Sequence, residues 1–402
     1  MKYVVVLADG MADVPVEELG GKTPLEYAKT PCMDALAAHG KIGMVKTVPD
    51  GMKPGSDVAN LAVMGYNPLS CYSGRSPLEA LSVGVSMKDT DVVFRCNIVT
   101  LTEDEPYEEK IILDHSSGEI SSEDAAVLMD AVRDAFQNEQ FSFYNGTSYR
   151  HITIWDKGEI LDLEAPHDHL GQVIGQFLPE NKLFFEMMKK SFDVLNNHPL
   201  NLKRAQAGKN KANSLWFWGA GTKPSLQNFK EKTGLSGTMI SAVDLLKGIA
   251  YGSGMDVVNV DGATGSLDTN YLGKADAAIN ALLEDGKDFV YIHVEAPDEM
   301  GHQGNLHHKI ESIEHIDEKI VAIVKNALDE AGEDYRILVL PDHPTPIHLR
   351  THTSDPVPYV LFDSTNINEN PVVFSEKTAS DSGVFCEDGY RLLEMFINLE
   401  DK

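Results

Sequence analysis

Residues 288–302 read DFVYIHVEAPDEMGH. The run from Asp288 to Val294 is apolar enough for a buried strand, and Pro297 is placed to open a helix behind it. Asp298 and His302 then lie four residues apart on that helix, so their side chains project from one face and can share a cation. Further on, Ile310, Ile313, Ile316, Ile320, Ile323 and Val324 form the apolar stripe of a long helix.

The same grammar occurs twice more. Tyr3–Leu7 is a short apolar run ending in Ala8-Asp9-Gly10, and Arg336–Leu340 ends in Pro341-Asp342-His343. A chemistry-bearing residue just past a buried strand is the pattern of an open α/β sheet, which gathers its site at the strand ends. A helix is predicted from Pro24 through Ala38. Val357–Phe362 is a further strand, and Pro358 within it predicts a sheet edge. Residues 68–260 read differently, with hairpin-like alternation around Phe141–Trp155 and a turn at Asp156-Lys157-Gly158. The expectation is therefore an α/β metal-binding domain from residues 1–67 and 261–402, with an α+β insert at 68–260.

Composition narrows the function. The chain has 402 residues, 42% of them hydrophobic, and a formal charge of −28. That charge opposes binding to nucleic acid or an anionic membrane, so a small anionic substrate would have to be met by local cations or metals. Cys32, Cys71, Cys96 and Cys386 lie far apart with no CxxC spacing, which argues against a zinc knuckle or disulfide framework and for a reducing cytoplasm. The N-terminal apolar run is too short for a signal sequence, and no stretch is long enough to span a bilayer.

His348 and His352 repeat the four-residue spacing in loop-like sequence, and Asp342 and His343 are adjacent where a turn can aim both inward. Carboxylate plus imidazole suits Zn or Mn, and a pair of such sites can bridge one phosphoryl group. Ser56, in PGSDVANL (residues 54–61), stands at a helix start. From this stretch alone the ordinary N-cap is the favoured reading; the same geometry also suits a nucleophile whose phosphate the helix amides would stabilise.

The ordered segments VVVLADGMAD (4–13), PGSDVANLAVMGYNP (54–68), GRSPLEA (74–80), FRCNIVTL (94–101), DGATGSLDTNY (261–271), APDEMGHQGN (296–305) and HTSDPVPY (352–359) resemble the archaeal-type cofactor-independent phosphoglycerate mutases of the alkaline phosphatase superfamily. The resemblance covers nearly the whole chain. It implies an alkaline-phosphatase-like mixed or parallel sheet flanked by helices, and two divalent ions, Mn first with Zn or Mg as alternatives, without 2,3-bisphosphoglycerate. One ion would be held by Asp298, His302 and His352, the other by Asp9, Asp342, His343 and the nucleophile Ser56; His348 is then a neighbour. It also implies that Ser56 takes the phosphate of 3-phosphoglycerate and returns it to the other hydroxyl of a retained glycerate.

The insert is expected to supply cations and close over the site. Of eight arginines, Arg75, Arg95 and Arg150 fall there in resembling segments, and their forked geometry suits carboxylate and phosphate. His115 and the pair His167-Asp168 are further candidates for proton transfer, although a lone histidine on a turn is more often structural. Two departures stand out. Leu340–Pro346 reads LPDHPTP where relatives commonly have TGDHSTP, and Asp261 replaces a usual proline. They bear on substrate identity more than on metal binding. The alternatives are a homoserine-kinase-type phosphotransferase or a phosphatase on the same fold, and a non-catalytic acidic scaffold, which leaves Ser56 and the ordered motifs without a purpose.

Overall fold

The computed structural model describes residues 1–369 and 371–398, and the chain divides into two units, Met1–Tyr72 with Ser225–Lys402, and Ser73–Pro224. The larger unit is built on strands β1 (Lys2–Ala8), β2 (Lys41–Val45), β8 (Gly237–Ile240), β9 (Asp256–Val258), β10 (Phe289–Val294), β11 (Tyr335–Leu340), β12 (Val357–Asp363) and β13 (Phe385–Cys386). The smaller unit holds β3 (Asp91–Leu101), β4 (Ile112–Asp114), β5 (Phe141–Tyr144), β6 (Arg150–Asp156) and β7 (Ser214–Thr222).

The larger sheet has eight strands in the order β13-β2-β12-β11-β1-β10-β8-β9. Strands β9, β8, β10, β1 and β11 are mutually parallel, while β12 pairs antiparallel with both β11 and β2. Because β1, β10 and β11 are neighbours and parallel, the three residues following them emerge at one end of the sheet. Val4, Val6, Val290, Ile292, Ile337 and Val339 join one apolar cluster with the helices Pro31–His39, Tyr271–Ile279 and Leu306–Ile316. The smaller sheet is antiparallel, with β3 central between β6 and β7, and Phe141 opposite Trp155 in the expected hairpin. Its core includes Phe94, Ile98, Phe184 and Phe217.

Three expectations need correction. Residues 68–72 and 225–260, assigned to the insert, belong to the larger unit, the second segment because β8 and β9 extend the parallel sheet on either side of the helix Asp244–Gly252. Those strands are four and three residues long, too short to register as apolar runs. The helix predicted over 24–38 is two helices, Pro24–Tyr27 and Pro31–His39. Pro31 opens the second, since a proline disfavours helical geometry in the residue before it. The strand containing Pro358 is interior. Its ladder with β11 runs only from Arg336↔Asp363 to Val339↔Val360, so Pro358 lies beyond it and interrupts no pairing on that side. The apolar stripe Ile310–Val324 does lie on one continuous helical run, Leu306–Ile316, Asp317–Val321 with π geometry and Ala322–Ala331, and left-handed Gly304 separates it from the helix Ala296–Gln303. Asp317 accepts from the amides of Cys32 and Met33, which leads the Pro31–His39 helix onto its neighbour.

Candidate active site

Asp9 follows β1, Asp342 and His343 follow β11, and Asp298 lies in the first turn of the helix after β10. Asp9, Asp342 and His343 are buried and bring ligand atoms within 4.8 Å of one another, as do Asp298, His343 and His352. His343 therefore belongs to both groups. Its Nε2 is 3.2 Å from Ser56 Oγ, 3.4 Å from Asp342 Oδ2 and 3.6 Å from Asp9 Oδ1.

Ser56 is the first residue of the helix Ser56–Val63, and Gly55 occupies the cap position. The hydroxyl of Ser56 points to Asp9 Oδ2 at 3.4 Å and to His343, so in the structure it serves the acidic cluster and the N-cap reading does not hold.

His302 Nε2 is 3.2 Å from Asp298 Oδ2, His352 Nε2 is 3.3 Å from Asp298 Oδ1, and the two Nε2 atoms stand 2.9 Å apart. The Nδ1 of His302 is 3.0 Å from the carbonyl of Arg350, which sets that ring's tautomer with Nε2 turned to the cluster. Burial works against the Asp298 charge, but bonds from His302 and His352 outweigh it and hold the carboxyl well below its ordinary range. The bond to Asp298 pushes His302 up to about 9. Asp9 is driven the other way: burial, then the nearby charges of Asp342 and Asp298, raise it well above the usual carboxylate value. Carboxylates that crowd without neutralisation behave in this way.

The donors fit a cation on three counts. Asp9 Oδ1 is buried with no hydrogen-bond partner among the described residues. Three imidazole Nε2 atoms, of His302, His343 and His352, are directed at carboxylate oxygens. The set is carboxylate and imidazole without thiolate, the mixture that suits Mn or Zn. His348 is exposed and belongs to neither group.

The loops carrying these residues are tied together from beneath. Fully buried Lys309 donates to Asp13 Oδ2 at 2.8 Å and to the carbonyls of Thr345 at 2.8 Å and Ala12 at 3.3 Å. Asp13 Oδ2 also accepts from the Ile347 amide at 3.0 Å, and Thr345 donates through its hydroxyl to Asp298. Gly10, at φ +62°, lets the β1 turn pass so close that a Cβ there would sit 2.5 Å from Asp298 Oδ1.

Sequence reading missed Asn60, Tyr291 and His293. Asn60 donates to Asp342 Oδ2 at 2.9 Å and to the Ser56 carbonyl at 2.8 Å, and Tyr291 donates to Asn60 Oδ1 at 2.7 Å. His293 Nε2 lies 2.8 Å from Asp9 Oδ2. The available signal was a polar side chain inside an apolar run, which buried polar groups adopt only with partners.

In the smaller unit the predicted residues form one chain of contacts. The Arg95 guanidinium lies 4.7 Å over the Trp218 ring, Trp218 is 5.2 Å from His167, His167 is 6.0 Å from His115, and His115 is 5.5 Å from Tyr149. Arg150 is exposed and stands 5.5 Å over Tyr149. Arg75 and Arg95 both bond Glu79. Burial lowers the Arg95 guanidinium and the His167 imidazole. Asp168 is exposed, 3.7 Å from His167.

A parallel-rich α/β sheet that collects a helix-borne serine and two carboxylate–imidazole groups at its strand ends defines a class of enzyme built for chemistry on a small charged group. A family model described as 2,3-bisphosphoglycerate-independent phosphoglycerate mutase matches residues 37–201. A probable mutase of that description from Geobacter sulfurreducens is 48% identical over 404 residues, covering 99% of this chain and 100% of its own. A mutase of Methanosarcina barkeri is 49% identical over 386 residues, covering 94% and 95%. Among solved structures, a Pyrococcus horikoshii protein matches with a TM-score of 0.80 at 30% identity, covering 100% of this chain and 98% of its own. The cofactor-independent phosphoglycerate mutase of Thermoplasma acidophilum matches at 0.69 and 25%, covering 99% and 100%. The chain belongs to the family of 2,3-bisphosphoglycerate-independent phosphoglycerate mutases. No helix among the described residues is long and apolar enough to cross a membrane.

Proposed function

We propose that this chain is an isomerase that interconverts 3-phosphoglycerate and 2-phosphoglycerate through a phosphoserine at Ser56. The observation that carries the reading is the placement of Ser56 Oγ at a helix start, 3.2 Å from His343 Nε2 and 3.4 Å from Asp9 Oδ2, in a chain whose relatives are mutases over nearly their whole length. The same relatives weigh against the homoserine-kinase and phosphatase alternatives.

Asp9, Asp342, His343 and Ser56 would hold one divalent ion and Asp298, His302 and His352 the other, a donor set that suits Mn or Zn. Bound ions would neutralise phosphoryl oxygens and favour the Ser56 alkoxide at neutral pH. The remaining work falls to the chain itself. Ser56 Oγ attacks phosphorus in line, the bond from phosphorus to the glycerate oxygen breaks, and a phosphoserine and glycerate result. The amides and dipole at the start of Ser56–Val63 stabilise the charge on that phosphoserine. Asn60 holds the Ser56 carbonyl and Asp342 together, so the nucleophile stays in register with the acidic cluster. The other hydroxyl of glycerate then attacks the phosphoserine, and Ser56 leaves.

Retention of glycerate separates a mutase from a phosphatase. Arg75, Arg95 and Arg150 are the candidates for binding its carboxylate, and His115, His167 and Asp168 for handling its hydroxyl protons. Arg95 is the most constrained of the arginines, stacked on Trp218 and bonded to Glu79. The test is an enolase-coupled assay with 3-phosphoglycerate and Mn, run beside homoserine with a phosphoryl donor. Turnover of 3-phosphoglycerate is expected; turnover of homoserine alone would overturn the reading.

A further inference from the structure

Strand β10 is buried between β1 and β8, and its side chains alternate in character. Val290, Ile292 and Val294 enter the apolar core. Tyr291 and His293, two residues apart and fully buried, therefore share the opposite face. A phenol and an imidazole side by side in a buried strand need partners, and both find them in the acidic cluster.

The hydrogen-bond bookkeeping around His293 allows one tautomer. Its Nε2 lies 2.8 Å from Asp9 Oδ2, and an ionised Asp9, which the cation reading requires, can only accept, so the ring proton is on Nε2. Nδ1 is then the acceptor for the hydroxyl of Ser241 at 3.1 Å, whose oxygen also accepts from the Val243 amide at 3.0 Å. Asp9 Oδ2 is occupied from the protein side, while Oδ1 is a buried oxygen with no hydrogen-bond partner among the described residues. The backbone of His293 is anchored as well, its carbonyl accepting from buried Lys274 at 2.8 Å.

Tyr291 imposes a second constraint. Its only proton goes to Asn60 Oδ1 at 2.7 Å, so the amide cannot flip, and both Nδ2 protons are directed to Asp342 Oδ2 and the Ser56 carbonyl. Asp342 Oδ1 meanwhile takes the amides of Gly10 at 3.1 Å and His343 at 2.9 Å.

We propose that Tyr291 and His293 are positioning residues: from one face of β10 they set the rotations of Asp9 and Asp342 and the placement of the Ser56 turn, so that the free carboxylate electron pairs and the nucleophile converge on one point. The inference rests on the reading that Asp9 and Asp342 hold a divalent cation. Groups that orient ligand side chains in this way typically contribute about 10–100-fold to metal affinity or activity.

The test is titration of metal-stripped full-length protein with Mn, followed by calorimetry, for the wild type and for Tyr291→Phe, His293→Leu and His293→Gln, with near-ultraviolet circular dichroism as the check on folding. Tyr291→Phe and His293→Leu are expected to weaken one of two Mn sites about 10–100-fold. His293→Gln, which keeps an N–H near Nε2, is expected to restore most of the loss. In turnover the same variants should lower kcat with the KM for 3-phosphoglycerate within about twofold, because the substrate-binding groups are untouched. Should His293→Leu fail to fold, Tyr291→Phe, which keeps the ring and its packing, carries the test. Folded Tyr291→Phe and His293→Leu with Mn affinity within about twofold of wild type would overturn the inference. Asp9→Asn run in parallel separates the two levels. If it abolishes a Mn site that both β10 variants retain, the positioning role alone fails; if it binds Mn like the wild type, the ligand reading fails and the positioning role with it.

Discussion

Gly10→Ala probes how closely the β1 turn must approach the helix that carries Asp298. Gly10 has φ +62°, and an added Cβ would lie 2.5 Å from Asp298 Oδ1, 2.6 Å from Asp298 Cα and 2.6 Å from Thr345 Oγ1. Left-handed geometry costs an L-residue about 1–2 kcal/mol. Contacts below 3.0 Å against backbone cannot be relieved by rotating a side chain, and overpacking of this kind adds about 1–3 kcal/mol. The variant is expected to lose about 2–5 kcal/mol of unfolding free energy. Gly20→Ala supplies the reference, because Gly20 has φ +68° with nothing within 4 Å of its added Cβ. It should lose only the conformational part. The assay is urea unfolding of both variants with the m-value checked for constancy, followed by Mn titration of the folded protein. Equal losses for the two glycines would refute the close-approach argument, and so would a Gly10→Ala protein that binds Mn like the wild type.

Lys309→Met removes the buried cation that faces Asp13 and two loop carbonyls, so it should destabilise by about 3–5 kcal/mol in urea unfolding. Pairing it with Asp13→Asn should recover part of that loss, and a single-variant cost below about 1 kcal/mol would show that the pair is not what ties the loops. His151, buried in the smaller unit, is pushed down to about 3 by burial. The unfolded chain therefore binds its proton near pH 6.5 while the folded one does not, and stability falls as pH drops from 6.5 toward 3. Unfolding of His151→Gln at several pH values should show a shallower acid decline than the wild type; parallel declines would contradict this. Arg95→Lys should raise KM for 3-phosphoglycerate while leaving Mn affinity unchanged, since lysine loses the fork and the stacking on Trp218; an unchanged KM would remove Arg95 from substrate binding.

The residues at strand ends were legible because their signal is positional: an apolar run stops and an Asp or His follows, as at Asp9, Asp342 and His343. Asp298 with His302 was legible from helical spacing, and the structure does bring their side chains to 3.2 Å. What escaped was polar chemistry inside apolar runs. Tyr291, His293 and Asn60 read as core residues in one sequence, because nothing local distinguishes a buried imidazole with a carboxylate partner from one without. The limit of the insert escaped for a different reason. Strands β8 and β9 are stabilised by parallel pairing to β10 and to each other, a long-range term that short segments do not announce. The helix break at Pro31 was missed because the apolar pattern runs on through it, and at Pro358 the meaning of the proline depended on where the β11 ladder ends.

The most direct test of the central claim is to quench the enzyme during turnover of 3-phosphoglycerate labelled with ³²P and to map the label by mass spectrometry. Phosphate on Ser56 in the wild type, with no label and no mutase activity in Ser56→Ala, is the predicted result. Mutase turnover at the normal rate in Ser56→Ala, or label carried on another residue, would contradict it.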